Sequence, residues 1–242
     1  MKILVLKFRN IGDVLLVSPL LSNLKLHYAN SSIDIAVNKG TEAMVENNPN
    51  INRVIIYDRE RIKRLTIFNK IWNEFNFLWS FRKEKYDLVI NLTEGDRGAQ
   101  IALLSKSPVR IGYSNQNKIF KNAFTHHMPE QGKRHTVETN LDPLRVLNIS
   151  IEHKKVRIYW DRADKEIIER KLSNVDKFIH IHPVSRWLFK CLSDQLMAQI
   201  IDYCELKLKT KVVITAAPID KEINKVNSIL GFCKSNPIDL SG

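Results

Sequence analysis

Apolar residues along the chain follow two patterns, which are short continuous runs and longer stretches with helical spacing. The runs predict strands buried on both faces, and they lie at 3–8, 33–37, 54–57, 86–92 and 109–114. The spaced stretches predict helices over 14–27, 41–48, 61–83, 97–106 and 136–148. The amphipathic stretch 61–83 repeats its apolar positions at Ile67, Ile71, Phe75 and Leu78. Pro19 and Pro143 remove backbone donors inside two of these helices, so we expect a kink at each.

The same alternation starts again after residue 150. Strands are predicted at 156–160, 178–183, 212–218 and 238–242, and helices at 161–173, 190–208 and 219–230. Strands that alternate with helices are typical of a parallel sheet with right-handed crossovers. The sequence therefore predicts an α/β protein with two Rossmann-like domains, 1–152 and 153–242, of which the second has too few strands to be complete.

Charge narrows the choice of partner. The 242 residues include 38 Lys and Arg against 26 Asp and Glu, which is a formal net charge of +12. Such an excess favours an anionic partner, which could be nucleic acid, an anionic membrane or a phosphorylated substrate. The alternative is a basic protein whose charge serves no particular partner. The sequence contains no RNP aromatics, zinc finger or basic leucine zipper, so we expect no nucleic-acid partner.

Cysteine usage and hydropathy bear on the compartment. Cys191, Cys204 and Cys233 are far apart and odd in number, which argues against a disulfide framework or a zinc site. No apolar run approaches the roughly 20 residues of a membrane span. The first ten residues lack the layout of a signal peptide, and we therefore expect a cytoplasmic protein.

The first candidate site is the junction "RNIGD" between the first predicted strand and helix. Ligands of parallel α/β sheets bind at the carboxyl ends of strands, and glycine-rich turns there hold phosphate. Here one glycine, Gly12, precedes Asp13. The carboxylate would repel a phosphate, and it is either a helix cap or a general base that faces a cleft. The local pattern alone favours the cap.

The second candidate site is the stretch "HIHPVSRWLFKCLS" at 180–193. Ser185 offers a hydroxyl, and Arg186 and Lys190 offer positive charge near the start of a predicted helix, which suits a diphosphate. The alternative, which this stretch alone supports equally well, is that Arg186 and Lys190 are solvated surface cations. His180 and His182 share one face of the predicted strand, where hydrogen bonding or core packing is favoured over metal ligation.

The third candidate site is the strand-end loop "NLTEGDRGAQ" at 91–100. Glu94 and Asp96 imitate an acidic-x-acidic metal motif, but three residues make a weak match. The alternative is a loop ion pair between Asp96 and Arg97. Arg97 also has the charge to face an anionic substrate.

These stretches together resemble one family. "ILVLKFRNIGDVLLVSPLLSNLK" and, much later, "HPVSRWLFKCLS" are similar to the ADP-heptose:lipopolysaccharide heptosyltransferases, glycosyltransferase family 9. Within that family the chain most resembles the lipopolysaccharide core heptosyltransferase III group. The stretches "YDLVINLTEGDRGA", "RHTVETNLDPLRVL" and "VVITAAP" follow in the family's order.

The resemblance implies a GT-B architecture, in which two Rossmann-like domains face each other across a cleft. The N-terminal domain would bind the lipopolysaccharide acceptor and the C-terminal domain the sugar nucleotide. The implied reaction is an inverting, metal-independent transfer of heptose from ADP-L-glycero-D-manno-heptose to the inner core, with no cofactor. Asp13 would be the catalytic base. The donor would be held by Lys190, with Ser185, Arg186 and Thr215, and the acceptor by Arg61, Lys63, Arg64 and Arg97.

Two further expectations follow from the resemblance. Chains of the family continue for roughly another hundred residues, as a second domain of typical size requires, so we expect this chain to be C-terminally truncated. The alternative function is then a truncated, non-catalytic module that binds anionic glycolipid or a membrane surface. Because the acceptor is a lipid and the chain is basic, peripheral attachment to the inner face of the cytoplasmic membrane is expected.

Overall fold

All five strands predicted for the first part of the chain are present in the computed structural model, which describes residues 1–114, 117–130 and 132–242. A sixth, two-residue strand was not predicted. The elements of this part are β1 (Lys2–Lys7), α1 (Ile11–Leu15), α2 (Ser18–His27), β2 (Ser32–Asn38), β3 (Arg53–Tyr57), α3 (Arg59–Lys63), α4 (Ile67–Lys83), β4 (Leu88–Asn91), α5 (Asp96–Ser105), β5 (Val109–Gly112), β6 (His126–His127), α6 (Thr136–Asn140) and α7 (Asp142–Val146).

The six strands form one parallel sheet in the order β3-β2-β1-β4-β5-β6. This is the Rossmann strand order, in which the chain first builds outward from β1 on one side and then continues with β4 on the other. The direction of building therefore reverses between β1 and β4. Ligands of open α/β sheets bind at this switch point, beyond the carboxyl ends of the two strands.

Both faces of the sheet are buried, which is why β1 is apolar without alternation. Ile3 and Val5 belong to the core cluster on one face, and Leu4 and Leu6 belong to the cluster on the other. Successive side chains of a strand point to opposite faces, so a strand covered on both sides must be apolar at every position. All four of these side chains are fully buried.

The two predicted kinks are confirmed. The helix predicted at 14–27 is divided into α1 and α2, and Pro19 lies in the first turn of α2. The helix predicted at 136–148 is likewise divided into α6 and α7, with Pro143 in the first turn of α7. Proline is tolerated in a first turn because the backbone N–H it lacks would have no intrahelical acceptor there.

The helix α4 differs from the expected orientation. An amphipathic surface helix normally turns its apolar face to the core, yet Ile67, Ile71 and Phe75 are exposed. The core contact is made instead by Phe81, which is fully buried, and by Phe77 and Leu78, which pack against the same cluster. The helix therefore has apolar residues on two faces, and of the four positions that the sequence pattern indicated only Leu78 packs against the core.

The second part of the chain contains a smaller parallel sheet in the order β7-β8-β9. Its elements are α8 (Arg162–Lys171), β7 (Phe178–Ile181), α9 (Asp194–Asp202), β8 (Lys211–Ile214), α10 (Asp220–Phe232) and β9 (Ile238–Asp239). Its core cluster consists of Val184, Ala198, Ile201, Cys204, Val212, Ile214, Val226 and Ile229.

The chain divides into two compact units, Met1–Asp161 and Arg162–Gly242. The strand predicted at 156–160 is wrong, because 151–161 has no regular structure. This segment belongs to the first unit instead: Val156 packs against its core, and the backbone N–H of Arg157 donates to Ser18 Oγ at 3.0 Å. These contacts explain why the division falls after the predicted boundary at residue 152. No helix among the described residues is long and apolar enough to cross a membrane.

Candidate functional site

Two loops meet at the switch point of the first unit, one after β1 and one after β4. The backbone N–H of Phe8 donates to Thr93 Oγ1 at 2.8 Å, and the guanidinium of Arg9 pairs with the carboxylate of Glu94 at 3.0 Å. These contacts tie the two strand ends together. The fold thereby forms a fixed edge at the place where an α/β sheet binds its ligand.

Asp13 lies at this edge, in the first turn of α1. Its side chain is half-buried. The N-cap position of α1 is occupied by Asn10, so Asp13 is not the helix cap that the local pattern favoured. The carboxylate lies beside the switch point, where open α/β sheets bind their ligands.

Lys7, the last residue of β1, is the buried charge next to this carboxylate. Its side chain is only 4% exposed, and its ammonium donates to Asn140 Oδ1 at 3.0 Å and to the carbonyl of Leu92 at 3.3 Å. Burial lowers the pKa of Lys7 to about 8, although the negative charge of Asp13 acts in the opposite direction. Lys7 is not among the predicted site residues, and its one signal in the sequence is a lysine at the end of an otherwise apolar strand.

Asn140 connects Lys7 to the helix that carries Asp13. Its amide accepts from Lys7 and donates through Nδ2 to the carbonyl of Leu16 at 2.9 Å, immediately after α1. Asn140 is buried, and it lies at the end of α6. The end of β1, the end of α1 and the end of α6 are therefore joined by one hydrogen-bond network.

A polar cavity of about 770 Å³ opens beside the switch point, at the carboxyl ends of β4 and β5. Its walls include Thr93, Glu94, Asp96 and Asn117. Glu94 pairs with Arg9, and Asp96 accepts from Asn117 Nδ2 at 3.2 Å. Among the described residues, no three His, Cys, Asp or Glu side chains are grouped as metal ligands.

Arg97 does not pair with Asp96 but with Glu74 of α4. Its two guanidinium nitrogens donate to the two carboxylate oxygens at 2.9 and 3.2 Å, and the guanidinium lies 3.9 Å from the ring centroid of Tyr57. Burial alone would raise the pKa of Glu74, but hydrogen bonds from Arg97 and Tyr57 hold it below the usual value. The charge of Arg97 is thus balanced within the fold.

The other predicted acceptor cations lie together on α3. Arg61 and Lys63 are exposed residues of this helix, and Arg64 follows it directly. The ammonium of Lys63 pairs with Glu60 at 2.7 Å, one turn away on the helix surface. The structure therefore brings three of the four predicted acceptor residues into one exposed basic cluster, whereas Arg97 is paired with Glu74 of α4.

The predicted donor residues lie in the second unit, in the loop after β7. Ser185 Oγ accepts from the backbone N–H of Trp187 at 3.1 Å and so shapes the turn, whereas Arg186 and Lys190 are exposed. Lys190 ends a short 3-10 turn, and the next helix, α9, begins only at Asp194, with Ser193 as its cap. The predicted helix start at residue 190 is therefore corrected.

Thr215 joins this group from the neighbouring strand end. It follows β8 directly, and its hydroxyl lies 2.8 Å from His180 Nε2 and 3.0 Å from His182 Nδ1. The favoured hydrogen-bonding interpretation of the two histidines is confirmed, since both use the same hydroxyl as partner. The ends of β7 and β8 thus hold a hydroxyl, two imidazoles and the loop that carries two cations.

Comparison with known sequences decides the family. The profile of glycosyltransferase family 9 (heptosyltransferase) matches residues 75–242, which is more than half of the chain. The chain belongs to glycosyltransferase family 9. A curated relative named lipopolysaccharide heptosyltransferase 3, from Escherichia coli, is 29% identical over 233 residues, which cover 94% of this chain and 67% of the relative. The family-9 chain spans about two thirds of the length of the curated relatives it matches.

Solved structures support the fold of this family-9 chain. A family 9 glycosyltransferase from Veillonella parvula has a TM-score of 0.85 at 22% identity and covers all of this chain and 69% of its own. The E. coli heptosyltransferase WaaC with ADP-2-deoxy-2-fluoro heptose has a TM-score of 0.74 at 16% identity, with 98% of this chain and 76% of its own covered. These neighbours are GT-B glycosyltransferases, and the predicted α/β, GT-B class is confirmed.

Proposed function

We propose that this chain transfers heptose from ADP-L-glycero-D-manno-heptose to the inner core of lipopolysaccharide. Two findings support the substrates. The curated relative is named for lipopolysaccharide heptose transfer, and a structural neighbour is described with an ADP-heptose analogue. The proposed donor is a substrate, and the reaction uses no cofactor.

The proposed reaction is a single displacement in which Asp13 is the base. The Asp13 carboxylate takes the proton of the acceptor hydroxyl, and the freed oxygen forms a bond to the anomeric carbon of the heptose. The bond from that carbon to the diphosphate oxygen breaks, and ADP leaves with the electron pair. Attack opposite the leaving group inverts the anomeric configuration. The observation that carries this proposal is the half-buried Asp13 carboxylate at the switch point, beside the buried Lys7.

The proposal assigns the donor diphosphate to Lys190, with Arg186 and Ser185 of the same loop and Thr215 from the next strand end. Two exposed cations in one loop can bind an anion and stabilise the charge that develops on departing ADP. The proposed transfer is metal-independent because these side chains supply that compensating charge.

For the acceptor, the proposal relies on Arg61, Lys63 and Arg64. Phosphates and acidic sugars of the core would be attracted to this exposed cluster on α3. Arg97 would have to leave the carboxylate of Glu74 to bind an acceptor, and we therefore give it the lesser part, which is to hold α5 against α4.

The compartment belongs to the same proposal. A lipid acceptor and a net charge of +12 favour a cytoplasmic protein that binds peripherally to the inner face of the cytoplasmic membrane. A non-catalytic module that holds anionic glycolipid would share this location, and donor-dependent transfer separates the two functions.

The first prediction concerns Asp13. We expect Asp13→Asn to lower heptose transfer by at least about a hundredfold, since a positioned general base contributes that much or more. ADP affinity should stay within about twofold of the wild-type value, because the substitution leaves the proposed diphosphate site untouched. Transfer is measured as ADP release that requires both donor and acceptor, and ADP affinity by calorimetry.

The matched control is Glu46→Gln, which changes an exposed carboxylate of the same unit. It should leave transfer unchanged. Wild-type transfer rates in Asp13→Asn would show that the base is another group. Absence of donor-dependent transfer in the unaltered 242-residue chain would support the non-catalytic module instead.

A further inference from the structure

The outer face of α4 exposes more large apolar side chains than any other described helix. Six residues, of which four are aromatic, are between 44% and 80% exposed: Ile67, Phe68, Ile71, Trp72, Phe75 and Trp79. Side chains of this size expose on the order of several hundred Å² together, and contiguous patches that large mark an interaction site. We call these six residues the α4 outer face.

The spacing of these residues makes them one continuous surface. Phe68, Trp72, Phe75 and Trp79 follow each other at intervals of four, three and four residues, which places them along one side of a helix. The rings of Phe75 and Trp79 are stacked with centroids 5.7 Å apart. The four aromatic residues of the α4 outer face therefore form a single strip.

The inner side of α4 holds this strip in place. Phe81 is fully buried, Phe77 packs against the same core cluster, and Glu74 makes the bidentate ion pair with Arg97. The helix is fixed to the first unit without any use of its outer residues. Packing inside the described part of the chain thus leaves the α4 outer face uncovered.

The segment that carries the strip has an excess of positive charge. Residues 59–85 contain eight Lys and Arg against three Glu, which is a net charge of +5. Two of the three acids are paired with cations from elsewhere in the chain, Glu74 with Arg97 and Glu84 with Arg53. The segment around the α4 outer face is therefore more basic than its own composition indicates.

We propose that the α4 outer face docks on the surface of an anionic lipid bilayer, with its aromatic side chains at the level of the headgroups. Helices that lie in a membrane interface combine Trp and Phe on one side with Lys and Arg around it. This inference rests on the proposed function, in which the acceptor is bound to the membrane. It names the surface of the protein that would contact that membrane. The basic acceptor cluster of α3 directly precedes α4, so docking would bring Arg61, Lys63 and Arg64 to the headgroup region.

Charge favours a bilayer over a second copy of the chain. A two-fold dimer places the same patch of each copy against the other, which would bring two segments of net charge +5 together. Anionic headgroups instead neutralise these cations, at a surface that also accepts Trp and Phe.

The test is binding to vesicles of phosphatidylethanolamine with phosphatidylglycerol, measured by co-sedimentation of the full chain. Trp72→Gln with Phe75→Gln should weaken binding by about tenfold or more, since two aromatic side chains lose their contact with the bilayer. The matched control is Trp160→Gln, which changes another exposed tryptophan, at 62% against 57% for Trp72. The control should bind as the wild type does, and phosphatidylcholine vesicles should bind all three proteins weakly.

Three outcomes would overturn the docking surface. The double variant could bind vesicles as tightly as the wild type, the Trp160 control could weaken binding equally, or the wild type could be a lipid-free dimer that the double variant makes monomeric. Because all three substituted positions, Trp72, Phe75 and Trp160, are exposed, unaltered circular dichroism serves to establish folding.

Transfer to a delipidated, water-soluble core oligosaccharide separates this inference from the proposed function. The double variant should retain that activity, since the α4 outer face contacts only the bilayer. Vesicle binding of the predicted pattern without any transfer would retain the docking surface and remove the transferase proposal. Transfer without vesicle binding would retain the transferase proposal and remove the docking surface.

Discussion

At the scale of single residues, the buried charge of Lys7 is fixed by specific partners. The ammonium of Lys7 is held by Asn140 and by the carbonyl of Leu92, under the influence of the charge on Asp13. The ammonium group is costly to bury, so its presence needs the hydrogen bonds and the nearby carboxylate to offset desolvation. The buried ammonium therefore lowers stability, while its hydrogen bonds join the end of β1 to Leu92 and to Asn140.

The pH dependence of stability should reveal this cost. The pKa of Lys7 is lowered by burial from its ordinary value near 10.5 to about 8, so between these values the unfolded chain binds more protons than the folded one. Stability from this group therefore rises as pH increases from 7 to 10. We expect the unfolding free energy of the wild type to gain about 2 kcal/mol relative to Lys7→Met over this range.

Urea unfolding of both proteins at pH 7 and pH 10, followed by circular dichroism, measures this difference. The comparison with Lys7→Met cancels the titration of the other lysines. A difference that is constant with pH would mean that Lys7 keeps an ordinary pKa in the folded protein. Lys25→Met is the control, because it removes a lysine of α2 and leaves the end of β1 unchanged.

At the scale of the element, α4 is one helix with two apolar faces that serve different purposes. The inner face packs on the sheet through Phe77 and Phe81. The outer face is exposed and aromatic. Periodicity alone does not distinguish these faces, because both repeat at intervals of three and four residues. The two faces differ in that only the inner one packs against the core of the first unit.

Two phenylalanines of α4 test this division. Phe81→Ala should lower the unfolding free energy by about 3–5 kcal/mol, because it removes a fully buried ring and leaves a cavity. Phe75→Ala, at a side chain that is 53% exposed, should change it by no more than about 0.5 kcal/mol. Denaturant unfolding measures both values. Equal losses would show that α4 packs by both faces.

At the scale of the whole molecule, the two units differ in the size of their cores. Among the described residues, the first unit has 31 buried apolar residues in two clusters, one on each face of its sheet. The second unit has eight in one cluster. Apolar burial is the main stabilising contribution to a fold, so the free energy that holds the first sheet closed should be larger.

Hydrogen exchange should report this difference. Both β1 and β8 are paired on two sides, so strand position is matched between them. We expect the amides of β8 to exchange at least about tenfold faster than those of β1, because opening the smaller core costs less free energy. Mass spectrometry of peptic peptides measures both. Equal protection would show that a single opening reaction exposes the two sheets together.

The sequence by itself determined the features that depend on short stretches of chain. A continuous apolar run such as that of β1 indicates burial on both faces, and Pro19 and Pro143 specify the two helix breaks without reference to any neighbour. The α/β class followed from the alternation of strands and helices. Strand-end positions made Asp13 and Lys190 candidates, and the resemblance to family 9 gave each its proposed role, which remains a prediction.

Only the tertiary structure decided what depends on distant partners. The strand predicted at 156–160 is absent because this segment packs on the first unit, where no strand pairs with it. Arg97 is paired with Glu74, which lies 23 residues earlier in the chain. The pKa of Lys7 is lowered because the side chain is buried in the folded protein. The outer face of α4 is exposed because the core contacts the inner face of the helix. In each case the free energy comes from a contact between residues far apart in sequence, and local pattern carries no record of it.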